Sequence, residues 1–62
     1  MNGIKEAREA AGLSQEAAGH QLGVTRQTMK NWEDGVTEPS ISLVRAMALL
    51  FHCSIDDLIK EG

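Results

Sequence analysis

A three-residue joint, Gly23-Val24-Thr25, restricts this chain more than anything else in it, because it separates two stretches that each carry their own helix start or stop signals. Gln15–Leu22 lies before the joint and a helix over Arg26–Asp34 after it, closed by Gly35. Ser14 can accept hydrogen bonds from unpaired N–H groups in the first turn of the first helix. Gly23 has no Cβ and can take the left-handed conformation that ends that helix, while Thr25 caps the next one. So short a joint rules out antiparallel packing, and the two helices must cross steeply. The apolar spacing agrees: Ala18 and Leu22 are i and i+4, Met29 and Trp32 are i and i+3, and Val24 sits between them. Trp32 therefore reads as core. The same register leaves Arg26, Gln27, Lys30 and Asn31 on the outer face of the second helix. That face is either plainly solvated or a set of donors and acceptors matched to base edges and phosphates. A helix N-terminus adds partial positive charge and free N–H groups.

The 62 residues are enough for one domain, which at this size buries only about 60% of the surface its unfolded chain exposes. A lone cysteine, Cys53, excludes an internal disulfide, and no Cys/His group has metal-ligand spacing. Stability must come from helix packing, helped by self-association. No apolar run approaches about 18 residues and no charged-then-apolar leader is present, so the expectation is a cytoplasmic protein without a membrane span. Nine acidic residues against six basic ones give a net charge of −3, whereas nucleic-acid binders usually carry a basic surplus. The distribution matters more than the sum. Arg26 and Lys30 lie on the outward helix, and Glu38, Asp56, Asp57 and Glu61 lie in the C-terminal half.

Elsewhere the periodicity predicts a helix over Gly3–Ala11, with Ile4, Ala7, Arg8 and Ala11 inward and Gly12 ending it. An arginine on that face either runs along the surface to water or has a buried partner. A helix over Ile41–Phe51 starts at Ser40, with Pro39 stiffening its entry. Its inward stripe is Ile41, Val44, Met47, Ala48 and Phe51, and Leu43, Leu49 and Leu50 exceed one face. A last helix, Ile55–Lys60, is capped by Ser54, with Asp56 and Asp57 in the favourable first turn. His20 reads as solvated, His52 as a helix-end residue and Cys53 as a small hydrophobe. The surplus apolar residues Leu49, Leu50, Ile55 and Ile59 either complete a small core or form a two-fold interface. No paired carboxylates, nucleophile–base constellation or phosphate-cradling glycine loop can be assembled, so neither catalytic residues nor a cofactor or metal are expected.

Taken together, LSQEAAGHQLGVTRQTMKNWEDG at Leu13–Gly35 and EPSISLVRAMALLFHCSIDDLI at Glu38–Ile59, preceded by IKEAR at Ile4–Arg8, resemble the Cro/CI-type (xenobiotic-response-element-type) helix-turn-helix family of phage repressors and bacterial regulators. The resemblance implies an all-α, compact five-helix lambda-repressor-like domain over residues 1–62. It also implies a transcriptional regulator, a repressor in the first instance, that binds double-stranded DNA as a homodimer. Two reading helices would then enter successive major grooves about 34 Å apart on a palindromic operator. Base contacts carry over to Arg26, Gln27, Thr28, Lys30 and Asn31, and phosphate contacts to Gln15, Thr25, Thr37 and Lys5. Arg8 and Glu33 match a partly buried ion pair, and Leu49, Leu50, Ile55 and Ile59 match the dimer interface.

The chain departs from the family pattern in four places. Ala18 replaces leucine, Gly19 replaces alanine, and Cys53 replaces an aliphatic residue. The loop after the reading helix carries Val36 and Thr37 where relatives commonly have a basic residue. Only backbone N–H groups and the Thr37 hydroxyl would remain there for a phosphate, which implies a shallow salt dependence. The acidic balance and this missing cation sustain an alternative: an antitoxin-like or protein-interaction module that keeps the fold but acts on a protein partner.

Overall fold

The helices over Gln15–Leu22, Arg26–Asp34 and Ile41–Phe51 each begin at a side-chain cap and end at a left-handed residue, which together satisfy their terminal backbone groups. The computed structural model describes residues 1 and 3–60; Glu61, counted above among the C-terminal acids, lies outside them. Five helices are formed: α1 (Gly3–Ala10), α2 (Gln15–Leu22), α3 (Arg26–Asp34), α4 (Ile41–Phe51) and α5 (Ile55–Ile59), with no strand among the described residues. Ser14, Thr25, Ser40 and Ser54 each accept from a backbone N–H three residues on, as N-cap side chains do. Gly23 (φ 74°) and Gly35 (φ 78°) end α2 and α3 in the left-handed region. His52 does the same for α4 at φ 56° without the freedom of glycine.

Two expected boundaries move by one residue. Ala11 falls outside α1, whose last turn closes through the Ala11 N–H onto the Ala7 and Arg8 carbonyls. Lys60 falls outside α5, where its backbone turns extended at ψ 146°. The start of α5 is tighter than expected, because Asp57 accepts from the Ser54 N–H while Ser54 accepts from the Asp57 N–H. Those hydrogen bonds to Ser54 hold the Asp57 carboxyl below the usual carboxylate range. Its contribution is therefore present above the unfolded value and lost as pH falls through the lowered one.

The core is Ile4, Ala18, Met29, Trp32, Val44, Met47, Phe51 and Leu58, drawn from all five helices. α1 packs against α3, α4 and α5, and α2 packs against α3 and α4. The radius of gyration, 9.9 Å, lies just under the ~10.6 Å expected for a folded chain of this length. No described helix is long and apolar enough to cross a membrane.

Two apolar assignments change. Ile41 is 67% exposed rather than part of the inward stripe. At 100° per residue, Val44, Met47 and Phe51 cluster in one direction and Ile41 stands roughly a quarter-turn away from it. Leu50 is half-buried against the core, while Leu49, on the opposite side of α4, is 80% exposed. Cys53 packs half-buried against the core, and burial, followed by the nearby Asp57, raises its thiol pKa.

Candidate nucleic-acid interface

The α2–joint–α3 unit holds its shape through close backbone approach. The Val24 N–H donates to the Gly19 carbonyl at 2.8 Å. A Cβ at Gly19 would come 2.9 Å from the Val24 carbonyl oxygen and 3.2 Å from that of Thr25. A smaller residue than the alanine of relatives therefore fits this joint, even though glycine weakens a helix.

α3 is pinned from beneath and behind. Met29 and Trp32 are buried beneath it. At its far end Glu33, whose side chain is only 2% exposed, receives Arg8 Nε at 2.6 Å and Nη2 at 3.3 Å. Arg8 Nη1 donates to the Leu13 carbonyl at 2.6 Å, and Gln15 Nε2 donates to Glu33 Oε1 at 3.0 Å. One carboxylate thus ties α1, the corner before α2 and the first residue of α2 to α3. No buried side-chain polar atom among the described residues lacks a partner.

With its inner side fixed, α3 turns Arg26, Gln27 and Lys30 outward; Thr28 and Asn31 are half-buried. Arg26 borders two open hollows of ≈ 450 Å³ each. One is lined by Arg8, Ser14, Gln15, Glu16 and Arg26, the other by Thr25, Arg26, Gln27 and Lys30. Two of the outward residues are already engaged within the helix. Gln27 Nε2 donates to Asn31 Oδ1 at 3.0 Å, and Lys30 Nζ sits 2.6 Å from Asp34 Oδ2. Arg26 makes no ion pair among the described residues.

The flanking residues are less uniform. Gln15 is brought beside Arg26, one of its amide hydrogens committed to Glu33. Thr25 Oγ1 caps α3 and lies 2.9 Å from Thr28 Oγ1, so both hydroxyls are partly occupied. The loop differs from the expectation. The Val36 N–H (2.9 Å) and Thr37 N–H (3.5 Å) donate to the Asn31 carbonyl, closing the end of α3, and are not free for a phosphate. The exposed Thr37 hydroxyl remains there. Lys5 is exposed on α1 and makes no ion pair among the described residues.

The family resemblance implies that Gln15 braces a residue of the reading helix, and that residue is Glu33. Two features lie outside the sequence reading. The Leu13 carbonyl under Arg8 comes from tertiary placement and leaves no local signal. The Lys30–Asp34 pair does leave one, the i, i+4 spacing of opposite charges.

Five short helices around one core, with two of them joined by a three-residue turn and the second offering a polar edge to solvent, define a helix-turn-helix domain. A family model described as helix-turn-helix matches residues 4–58, and the chain belongs to that family. This agrees with the Cro/CI-type resemblance of the sequence. An uncharacterized HTH-type transcriptional regulator of Bacillus subtilis (strain 168), YgzD, is 39% identical over 57 residues, covering 92% of this chain and 86% of that protein. Two uncharacterized HTH-type transcriptional regulators of Archaeoglobus fulgidus are also similar. One is 36% identical over 55 residues (89% of this chain, 79% of the relative). The other is 34% identical over 55 residues (89% and 78%). No solved structure matches the chain significantly.

Proposed function

We propose that this chain is a sequence-specific, double-stranded DNA-binding transcriptional regulator that acts in the cytoplasm as a repressor, by occupying an operator. The observation that carries the reading is the outer edge of α3, where Arg26, Gln27 and Lys30 project to solvent from a helix anchored by Met29, Trp32 and Glu33. Relatives named HTH-type transcriptional regulators support the regulatory part.

In this reading α3 enters the major groove by its first turn. Arg26 pairs with guanine O6/N7 and Gln27 with adenine N6/N7, each good bidentate contact discriminating by about 1–3 kcal/mol. Thr28, Lys30 and Asn31 meet neighbouring bases. Gln15, Thr25, Thr37 and Lys5 position the domain on phosphates. A homodimer formed through Leu49, Ile55 and Ile59, with Leu50 at the margin, supplies two reading helices to a palindromic site. The exposure of Leu49 (80%), Ile59 (42%) and Ile55 (36%) supports that surface.

Selection of bound duplexes from a random DNA pool tests the proposal. Inverted repeats are expected, and a pool that stays random after repeated rounds defeats it. Within the selected site, Arg26→Ala should abolish preference at one base pair, about tenfold in relative affinity, while other positions keep theirs. Uniform weakening over all sequences would move Arg26 to the phosphate contacts. Leu49→Asp should shift the sedimenting species toward monomer, and an unchanged dimer mass would remove that interface.

The exposure of Val36 (69%) and Ile41 (67%) on a chain of net charge −3 favours the second reading, a module acting on a protein partner. Replacing both Arg26 and Gln27 with alanine separates the two. Loss of regulation together with DNA binding belongs to the first reading, and regulation that survives belongs to the second.

A further inference from the structure

Of the six basic residues, three are held by carboxylates: Arg8 by Glu33, Lys30 by Asp34 and Lys60 by Glu6. The first pair is buried and builds the fold, and the third ties α1 to Lys60, the residue after α5. The second stands on the proposed reading face itself, with Lys30 and Asp34 side chains 52% and 49% exposed.

Helix stability gives little reason for an acid at that position. Asp34 is the last residue of α3, where a negative charge opposes the helix macrodipole. A lysine placed before its acid at i, i+4 is also the weaker of the two orientations. The acid does have a consequence for a polyanion. Lys30 lines the hollow beside Thr25, Arg26 and Gln27, and its ammonium is neutralised by its own helix 2.6 Å away. A duplex gains a contact from Lys30 only by taking it from Asp34.

We propose that Asp34 is a specificity-determining residue that acts through Lys30, a role that rests on the DNA-binding reading above. On a mismatched sequence Arg26 and Gln27 find no base partners, α3 does not seat, and Lys30 stays on Asp34. One phosphate contact is then withheld from nonspecific DNA. On a matched sequence the base contacts hold α3 in the groove, and Lys30 leaves Asp34 for the duplex. The carboxylate therefore weakens binding to wrong sequences more than to the right one. On an acidic chain whose loop after α3 brings no cation, this makes discrimination depend on the few groups that read bases.

The test compares the wild-type chain with Asp34→Asn, which keeps size and hydrogen bonding but removes the charge, on the selected duplex and on a scrambled duplex across a salt series. Asp34→Asn should bind the scrambled duplex about three- to tenfold more tightly near 0.1 M salt, with a log–log salt slope steeper by about 1. The ratio of selected to scrambled affinity should fall, and Asp34→Glu should restore it. In a Lys30→Ala background the same replacement should change neither slope nor ratio. An unchanged slope and ratio for Asp34→Asn overturns the inference. So does a change that persists without Lys30, since Asp34 would then act by direct repulsion of the backbone. A wild-type chain that selects a sequence while these variants behave alike leaves the DNA-binding reading standing and removes only this one. A wild-type chain that binds no duplex removes both.

Discussion

Glu33→Ala should lower the melting temperature by on the order of 20 °C, measured by circular dichroism, because it strands a buried guanidinium. Breaking a buried pair by removing one partner costs about 3–5 kcal/mol, and in a domain of this size 1 kcal/mol corresponds to about 4–8 °C. The geometry places this pair at the costly end. Arg8 is 7% exposed as a residue, and its Nε and Nη2 both point at Glu33. Without the carboxylate only the Leu13 carbonyl still meets the guanidinium, and the Gln15 amide loses its acceptor. Glu33→Gln retains an acceptor but not the charge and should fall between wild type and alanine. The loss also reaches function, because Glu33 is the point where α1 and α2 are tied to α3. A change in melting temperature within error would mean that Arg8 reaches water without cost, and that the anchor of α3 lies in Met29 and Trp32 alone.

The second large effect is expected at Gly3, where local propensity and tertiary packing disagree in sign. Judged by helix propensity, alanine improves on glycine in the first turn of α1. In the folded chain a Cβ at Gly3 would lie 1.7 Å from the Asp57 carbonyl oxygen, 2.8 Å from its carbon and 3.0 Å from the Leu58 Cα. All three are backbone atoms, so no rotamer change can relieve the overlap. Either α5 withdraws, taking the fully buried Leu58 out of the core, or α1 moves with Ile4. Overpacking of this kind costs about 3 kcal/mol, the upper part of the usual range. Gly3→Ala should therefore lower the denaturation midpoint sharply and raise hydrogen exchange in α5 more than in α3. A variant as stable as wild type would show that α5 does not need its close seat on α1.

The relation between α1 and α5 also marks the limit of what can be read without coordinates. Gly3 attracts no notice in the sequence, since no turn or cap pattern surrounds it and its constraint comes from residues more than fifty positions away. Ile41 shows the same limit from another side. Its spacing to Ala48 is helical, but which side of α4 faces inward depends on where α1, α2 and α5 lie. Lys30 and Asp34 were legible as a spacing, yet their pairing acquires meaning only on the exposed edge where Arg26 and Gln27 also stand.

What the chain fixes locally is its helical punctuation and the polarity of one edge. Ser14, Thr25, Ser40 and Ser54 can each satisfy orphan N–H groups within three residues of themselves, and Gly23 and Gly35 can adopt a positive φ anywhere. These are short-range effects that any fragment would share. The composition of the outer α3 face belongs to the same class, because a period of 3.6 residues separates Arg26, Gln27, Lys30 and Asn31 from Met29 and Trp32 in any helix. The tertiary structure alone decided that Glu33 serves both Arg8 and Gln15 and that Gly3 accepts no larger residue. Each of these depends on distances between segments remote in sequence, and those distances exist only once the common core has closed.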